Sequence, residues 1–213
     1  DSCLEVLEQL KLPVVLLGCV NARLLPNSIV PAHRQGGYLA ARHLLELGHR
    51  TFAYVNGVYD NYDNLQRLEG FRAGLERTGI RLLQNCIING AFEKETAYHS
   101  MKTLIRESKE MGKSLPDAVF AANDVSAIGA VEALTDSGIR VPGKVSVVGC
   151  DDIEMARMVR PSLTTVRTSF EKQGMMAVKY LMGMIMGEQE GCIDVLQGKI
   201  VARESTCARN CSD

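Results

Sequence analysis

Residues 117–138 read DAVFAANDVSAIGAVEALTDSG, and this stretch decides the fold class. Its first five residues form a short apolar run, typical of a strand that is buried on both faces of a parallel sheet. Asn123 and Asp124 follow, and then comes a helical pattern over Val125–Ser137 that ends at Gly138. The stretch therefore predicts a strand, a polar loop and a helix in immediate succession.

The same order of strand, loop and helix recurs along the chain. Short apolar runs predict strands at Pro13–Leu17, Thr51–Val55, Asn85–Ile88, Asp117–Ala121 and Lys144–Val148. Helical patterns predict the connecting helices Gln35–Leu47, Asn64–Thr78, Glu93–Glu110, Val125–Ser137 and Phe170–Met186. This alternation predicts a doubly wound, parallel α/β sheet, in which ligands bind outside the carboxyl ends of the strands.

Composition excludes several classes of protein. The 24 Lys and Arg residues balance 25 Asp and Glu residues, so a net charge of −1 supplies no drive toward DNA or anionic membranes. The longest apolar stretch, near Pro13–Val20, is shorter than the roughly 18 residues that span a bilayer. Seven cysteines are an odd number, and the first residues lack the features of a signal peptide. We therefore expect free thiols and a cytoplasmic location.

Motifs of catalysis and cofactor binding do not occur in the sequence. The patterns GxxxxGK(S/T), GxGxxG, GxSxG and HExxH are all missing. The four histidines are scattered, without a Cys or His partner at metal-ligand spacing. We therefore expect no cofactor, no metal and no enzymatic activity.

Three polar residues at predicted strand ends or helix starts could bind a ligand, and each has a purely structural alternative. Arg67 can clasp a hydroxylated or carboxylated ligand, or it can pair with Asp63 on an exposed helix face. Asn123 and Asp151 each follow a predicted strand, where either side chain could instead cap the next helix. Residue chemistry alone leaves these alternatives open.

Two of the five phenylalanines lie where an aromatic ring could meet a ligand. Phe92 falls in the turn Gly90–Glu93, and Phe170 opens a methionine-rich helix. The face of such a ring can pack against the C–H surface of a sugar or against a purine. Packing within the core is the alternative for Phe92.

Taken together, these segments resemble the effector-binding domain of the LacI/GalR family of bacterial transcription repressors. The resemblance runs from about Leu12 to Ser205, and its motifs are Gly36-Gly37, HLLELGHR at 43–50, RLEGF at 67–71, PDAVFAAND at 116–124, AIGA at 127–130, GIRVP at 138–142, VSVVGCDDI at 145–153 and PSLTTV at 161–166. It departs at Ala32-His33, where the family usually has Asp-Asn, at Cys150, which replaces an aromatic residue, and at Cys19, which replaces a polar one.

The resemblance implies a periplasmic-binding-protein-like type I fold, with doubly wound parallel sheets in two lobes and the first lobe incomplete in this chain. It predicts the division 1–48 (remainder of the N-terminal lobe), 49–160 (C-terminal lobe), 161–190 (crossover back), 191–205 (C-terminal strands) and 206–213 (disordered tail). It also places ligand contacts, in a cleft between the lobes, at Arg67, Phe92, Asn123, Asp151 and Phe170.

The implied function is that of an effector-sensing domain in a homodimeric regulator. We expect a sugar-like small molecule to be the effector, because Arg, Asn and Asp supply donors and acceptors for adjacent hydroxyls. DNA would be bound only through an N-terminal helix-turn-helix that is absent from this chain, and we expect no membrane partner. The alternative is an exported periplasmic sugar-binding protein of a transport system, which shares the fold.

Overall fold

The computed structural model describes residues 6, 12–18, 27–188 and 192–209. In chain order its elements are β1 (Leu16–Leu17), β2 (Asn27–Pro31), α1 (His33–Glu46), β3 (Phe52–Asn56), α2 (Tyr62–Glu76), β4 (Ile87–Asn89), α3 (Lys94–Glu110), β5 (Ala118–Ala121), α4 (Asp124–Thr135), β6 (Ser146–Asp151), α5 (Met155–Met158), β7 (Thr164–Arg167), α6 (Phe170–Met186), β8 (Cys192–Leu196) and β9 (Lys199–Val201). The chain forms two compact units: the smaller comprises Asp1–Ala32 with Ser169–Gln197, and the larger comprises His33–Thr168 with Gly198–Asp213.

The larger unit is built on a sheet with the strand order β4-β3-β5-β6-β7-β9. Strands β3 to β7 pair in parallel, whereas β9 runs antiparallel to β7. Every residue of β3 and β5 is buried, because helices cover both faces of the sheet. The predicted doubly wound α/β fold is confirmed.

The core of the larger unit lies on both faces of this sheet, because successive side chains of a strand point to opposite sides. Val55 and Val119 belong to the cluster on one face, together with residues of α3 and α4. Tyr54 and Phe120 belong to the cluster on the other face, where their ring centroids are 5.5 Å apart. Phe71 of α2 packs 5.1 Å from Phe120, centroid to centroid. The strands are thereby held rigidly, with their carboxyl ends at one edge.

Helix α1 belongs to the larger unit, whereas the sequence-based division placed residues 1–48 in the first lobe. The reason is its close packing on α2. A Cβ atom at Gly37 would lie 2.0 Å from the carbonyl oxygen of Arg67, and one at Gly70 would lie 1.8 Å from that of Arg34. Only glycine allows the two helix backbones to approach this closely.

The smaller unit contains the strand order β1-β2-β8, paired in parallel, with α6 packed on β1 and β2. Helix α6 begins and ends where the sequence predicts, and Gly187 terminates it in the left-handed conformation, at a φ of 70°. The hydroxyl of Tyr180 donates a hydrogen bond to Asp194. The sequence also predicts a helix at Leu4–Leu10, which lies outside the described residues except for Val6.

The chain between residues 206 and 209 packs against the rest of the larger unit, so the prediction of a disordered tail from 206 is wrong for these residues. His43 Nε2 lies 3.1 Å from Thr206 Oγ1, and the amide of Arg209 donates to the Leu47 carbonyl over 2.8 Å. Polar composition predicts fraying only where such tertiary partners are missing.

Within the described part of the chain, no helix combines the length and the apolar character needed to cross a bilayer.

Candidate functional site

The candidate site lies in the larger unit, at the carboxyl edge of its sheet. Asn56 ends β3, Ala122 directly follows β5 and Asp151 ends β6, and these strands are neighbours in the order β3-β5-β6. Helix α2 carries Arg67 to the same edge, where its guanidinium contacts the ends of both β5 and β6. In an open parallel α/β sheet, this edge is where ligands bind.

Arg67 is 6% exposed, and its guanidinium contacts residues at the ends of two strands. Its Nη1 donates to the carbonyl of Ala122 over 2.5 Å, and its Nη2 lies 3.3 Å from Asp151 Oδ1. Burial works to lower the pKa of Arg67, but the negative groups around it, Asp151 among them, raise it overall, and the guanidinium stays charged. The alternative of an exposed pair with Asp63 is wrong, because Asp63 instead lies 3.1 Å from His33 Nε2.

Asp151 ends β6 with an unusual backbone. Its φ is 116° and that of Asp152 is 57°, both in the range that favours glycine. The next helix, α5, is preceded by Glu154 as its cap residue, so Asp151 is not a helix cap. Burial raises the pKa of Asp151 and the Arg67 guanidinium only partly opposes this. Its carboxylate is therefore desolvated and incompletely compensated.

Two buried carboxylates hold this strained turn in place. Asp152, with a side chain 3% exposed, accepts from Arg167 Nε and from Arg203 Nη2, each over 2.5 Å. Asp124 accepts from the amide of Ile153 over 2.9 Å, and burial raises its pKa to about 7. Left-handed backbone of this kind costs ~1–3 kcal/mol per residue and persists only where its surroundings enforce it.

Asn123 and Phe92 are connected by a hydrogen bond. Asn123 Oδ1 accepts from the Ser126 amide over 2.9 Å, which confirms the helix-cap alternative. Its Nδ2 donates to the Phe92 carbonyl over 3.2 Å. The Phe92 ring lies against Gly57, where a Cβ atom would come within 2.3 Å of the ring. Both side chains are partly exposed, so capping and packing leave part of each accessible.

A network of buried amides holds the loop that follows β3. Asn64 Oδ1 accepts from the Tyr54 hydroxyl over 3.1 Å and from the Gly57 amide over 2.8 Å. Its Nδ2 donates to Asn56 Oδ1 over 2.9 Å. Asn64 is fully buried, and a satisfied polar network of this kind makes a loop rigid.

Sequence reasoning missed the supporting residues Asn64, Asp124, Asp152, Arg167 and Arg203. The two aspartates were visible only as neighbours of predicted contacts at strand ends. Arg203 stands 51 positions from its partner Asp152, so no local pattern could have indicated it.

Phe170 is the first residue of α6 and belongs to the smaller unit, so the larger unit contains only four of the five predicted contacts. Its side chain is exposed.

Of the two cysteines at predicted strand ends, Cys19 lies outside the described residues, while Cys150 is buried and burial raises the pKa of its thiol. Within the described ranges, no group of three His, Cys, Asp or Glu side chains is arranged to hold a metal ion.

Comparison with known proteins gives consistent matches. Residues 41–206 match the periplasmic binding protein-like domain. Over 156 residues the chain is 38% identical to the HTH-type transcriptional repressor PurR of Haemophilus influenzae, which covers 73% of this chain and 45% of the repressor. The chain thus spans about half the length of that curated relative.

Solved structures give the same result over nearly the whole chain. A LacI family transcriptional regulator from Enterococcus faecium with bound ribose is 28% identical, with a TM-score of 0.85, over 98% of this chain and 75% of that one. A dimeric Lac repressor is 29% identical, with a TM-score of 0.85, over 98% of this chain and 74% of that one.

Proposed function

The chain belongs to the periplasmic binding protein-like domain family, as the effector-binding domain of a LacI/GalR-type protein, and from this premise we propose that it senses a sugar-like effector for a DNA-binding transcriptional regulator. The observation that carries the proposal is the pair of buried Arg67 and partly exposed Asp151 at the carboxyl edge of the larger unit. Similar proteins include the repressor PurR and a Lac repressor, which favours a regulator over an enzyme.

The charges at this edge suit a ligand rich in hydroxyl groups. Burial raises the pKa of Asp151, so its carboxylate gains from each additional hydroxyl donor. Asn123 offers an amide that can donate to one hydroxyl while accepting from the next. A ligand without hydroxyls there would leave the desolvated carboxylate of Asp151 without further donors, at a cost of about 1–3 kcal/mol, and would bind weakly.

The aromatic side chains favour ligands that have an apolar face. Phe92 turns its backbone carbonyl to Asn123 and keeps part of its ring exposed, where it can pack against the apolar face of a sugar ring. Phe170, from the smaller unit, is proposed as a further contact. Bound ribose in the structurally similar regulator from Enterococcus faecium supports a sugar rather than another class of ligand.

The regulatory part of the proposal concerns the full-length protein. We propose a cytoplasmic homodimer, as the similar Lac repressor is dimeric, with DNA bound through a helix-turn-helix outside these 213 residues. Effector binding would shift an equilibrium between arrangements of the lobes and so change how two headpieces fit the half-sites of an operator.

A thermal-shift panel tests the proposal. The panel holds monosaccharides, disaccharides, sugar phosphates, nucleosides and free bases, and we expect stabilisation by at least one sugar. Asp151→Asn should weaken binding of that sugar by tenfold or more, since it loses a charged acceptor. The matched control Glu107→Gln alters an exposed carboxylate on α3 and should leave affinity unchanged. Stabilisation by a base and by no sugar, or full affinity in Asp151→Asn, would contradict the proposal.

A further inference from the structure

Two exposed tyrosines lie on the loop that follows β3 and at the start of α2. Of the six tyrosines in the chain, only Tyr59 and Tyr62 are exposed, at 62% and 58%. Together with Val58 and Leu65 they make up four of the eight large hydrophobic residues that are exposed in the described part of the larger unit. A single exposed hydrophobic residue needs no explanation, but a cluster in one short stretch of the chain marks a binding surface.

The cluster borders the candidate effector site at the carboxyl edge of the sheet. Gly57 directly follows β3, and a Cβ atom there would come within 2.3 Å of the Phe92 ring, so the loop begins against that ring. Tyr59 is two residues further on, and two trans peptide units place its Cα at most about 7.6 Å from that of Gly57. Tyr62 is the first residue of α2, the helix that carries Arg67. Both tyrosines therefore stand beside predicted effector contacts.

Hydrogen bonds fix the backbone on which the tyrosines stand. The amide of Asn61 donates to the Val58 carbonyl over 3.2 Å, which closes a turn with Tyr59 at its second position. Asn64 Nδ2 donates to the same carbonyl over 3.2 Å. Asn61 Oδ1 accepts from the amide of Asn64 over 3.0 Å and so caps α2 immediately before Tyr62. A ligand thus meets a loop that is already ordered, which lowers the entropic cost of binding.

The chemistry of the cluster suits a sugar ring better than a protein surface. A tyrosine offers an apolar ring face at low entropic cost. Asp60 and Asn61 lie between the two tyrosines, are also exposed, and supply acceptors and donors for hydroxyl groups. A stable protein interface buries about 800 Å² on each side, whereas one fully buried aromatic side chain contributes about 150–250 Å². Two partly exposed tyrosines therefore match one small ring.

We propose that Tyr59 and Tyr62 form a second subsite, which holds a second sugar ring, so that the effector is a disaccharide. The inference rests on the proposed function, in which the first ring occupies the site at Phe92 and Asp151. The second ring packs its C–H face on the tyrosines, and Asp60 accepts from its hydroxyl groups. The tyrosines thereby select the length of the ligand, because a monosaccharide leaves the second subsite in water.

Isothermal titration calorimetry of the protein tests the inference with lactose, maltose, cellobiose and sucrose, and with glucose, galactose and fructose. At least one disaccharide should bind about tenfold or more tightly than either of its own monosaccharides. Tyr59→Ser/Tyr62→Ser should lower this ratio of affinities about tenfold, because it removes both aromatic faces. Tyr59→Phe/Tyr62→Phe keeps the rings and should retain the ratio. A merely structural defect would instead weaken both sugars alike.

The matched control is Leu83→Ser/Met111→Ser, which changes two residues that are each 60% exposed and that precede β4 and β5, on the amino side of the sheet. It should retain the wild-type ratio. Equal affinities for the disaccharides and their monosaccharides, or an unchanged ratio in Tyr59→Ser/Tyr62→Ser, would overturn the second subsite alone. If that serine variant also sediments differently from the wild type, the tyrosines belong to a contact between copies of the chain. Binding of none of the seven sugars would overturn the second subsite together with the proposed function.

Discussion

Asp124 and Thr165 form a buried hydrogen bond, in which the threonine hydroxyl donates to the aspartate Oδ1 over 2.6 Å. The second oxygen of Asp124 accepts the amide of Ile153, and Thr165 Oγ1 also accepts from the Asp152 amide at 3.4 Å. One carboxylate therefore joins the start of α4, the strained turn after β6 and strand β7. The turn that presents Asp151 depends on a group that is not itself a predicted ligand contact.

The first prediction concerns the pH dependence of stability at Asp124. Its pKa is raised to about 7 by burial, so the folded state binds this proton more tightly than the unfolded chain does. The resulting stabilisation is fully present below about pH 4 and is lost as the pH rises through about 7. Asp124→Asn resembles the neutral acid and should lack this loss.

Urea unfolding from pH 5 to pH 8 measures the effect at Asp124. The free energy of unfolding of the wild type should fall relative to that of Asp124→Asn across this range. Because other ionisable groups are common to both proteins, only the difference between the two curves is informative. Parallel curves would show that Asp124 does not titrate in this range.

The second prediction is that Arg67 stabilises the fold as well as the site. Arg67→Met removes the hydrogen bond to Ala122 and leaves the largely buried Asp151 carboxylate without its cation. Breaking a buried pair in this way should lower the free energy of unfolding by about 3 kcal/mol. Adding Asp151→Asn should recover at least about 1 kcal/mol, which a double-mutant cycle in urea measures. Strictly additive effects would argue against the pairing.

The third prediction concerns the contact between α1 and α2. Gly37→Ala places a methyl group about 2 Å from the Arg67 carbonyl oxygen and should cost at least about 3 kcal/mol, since two helix backbones must separate. The matched control is Gly174→Ala in α6, where a Cβ atom meets no atom within 4 Å. That variant should be stabilised by about 0.5–1 kcal/mol, as expected for glycine replaced by alanine within a helix. Differential scanning calorimetry of both variants measures these two opposite changes in stability.

The fourth prediction tests the one expected contact in the smaller unit. Phe170→Ala should weaken binding of the most stabilising sugar of the panel by about tenfold, because it removes an aromatic surface from the ligand. Met175→Ala changes a similarly exposed side chain on the same helix, and this control should leave affinity unchanged. Isothermal titration calorimetry measures the sugar affinity of both variants. Equal affinities in Phe170→Ala and Met175→Ala would exclude Phe170 from the site.

Local patterns in the sequence predicted strands β3 to β6 and helices α1 to α4 and α6 in their order, but they did not indicate β2 or β7. Apolar runs of four or five residues predicted β3 and β5 closely, and Gly187 ends α6 where expected. The capping role of Asn123 was also visible, because a cap bonds an amide only three residues away. In each case the interaction that determines the structure lies within a few positions along the chain.

Tertiary structure decided the partners of the charged side chains at the candidate site. The sequence offered Asp63 to Arg67 at a spacing of four, yet Arg67 reaches Asp151, 84 positions later, because close packing of α1 and α2 buries its helix face above the strand ends. Asp152 likewise finds Arg203 across 51 positions. A buried charge requires a partner that the fold brings to it, and spacing along the chain carries no record of such distant neighbours.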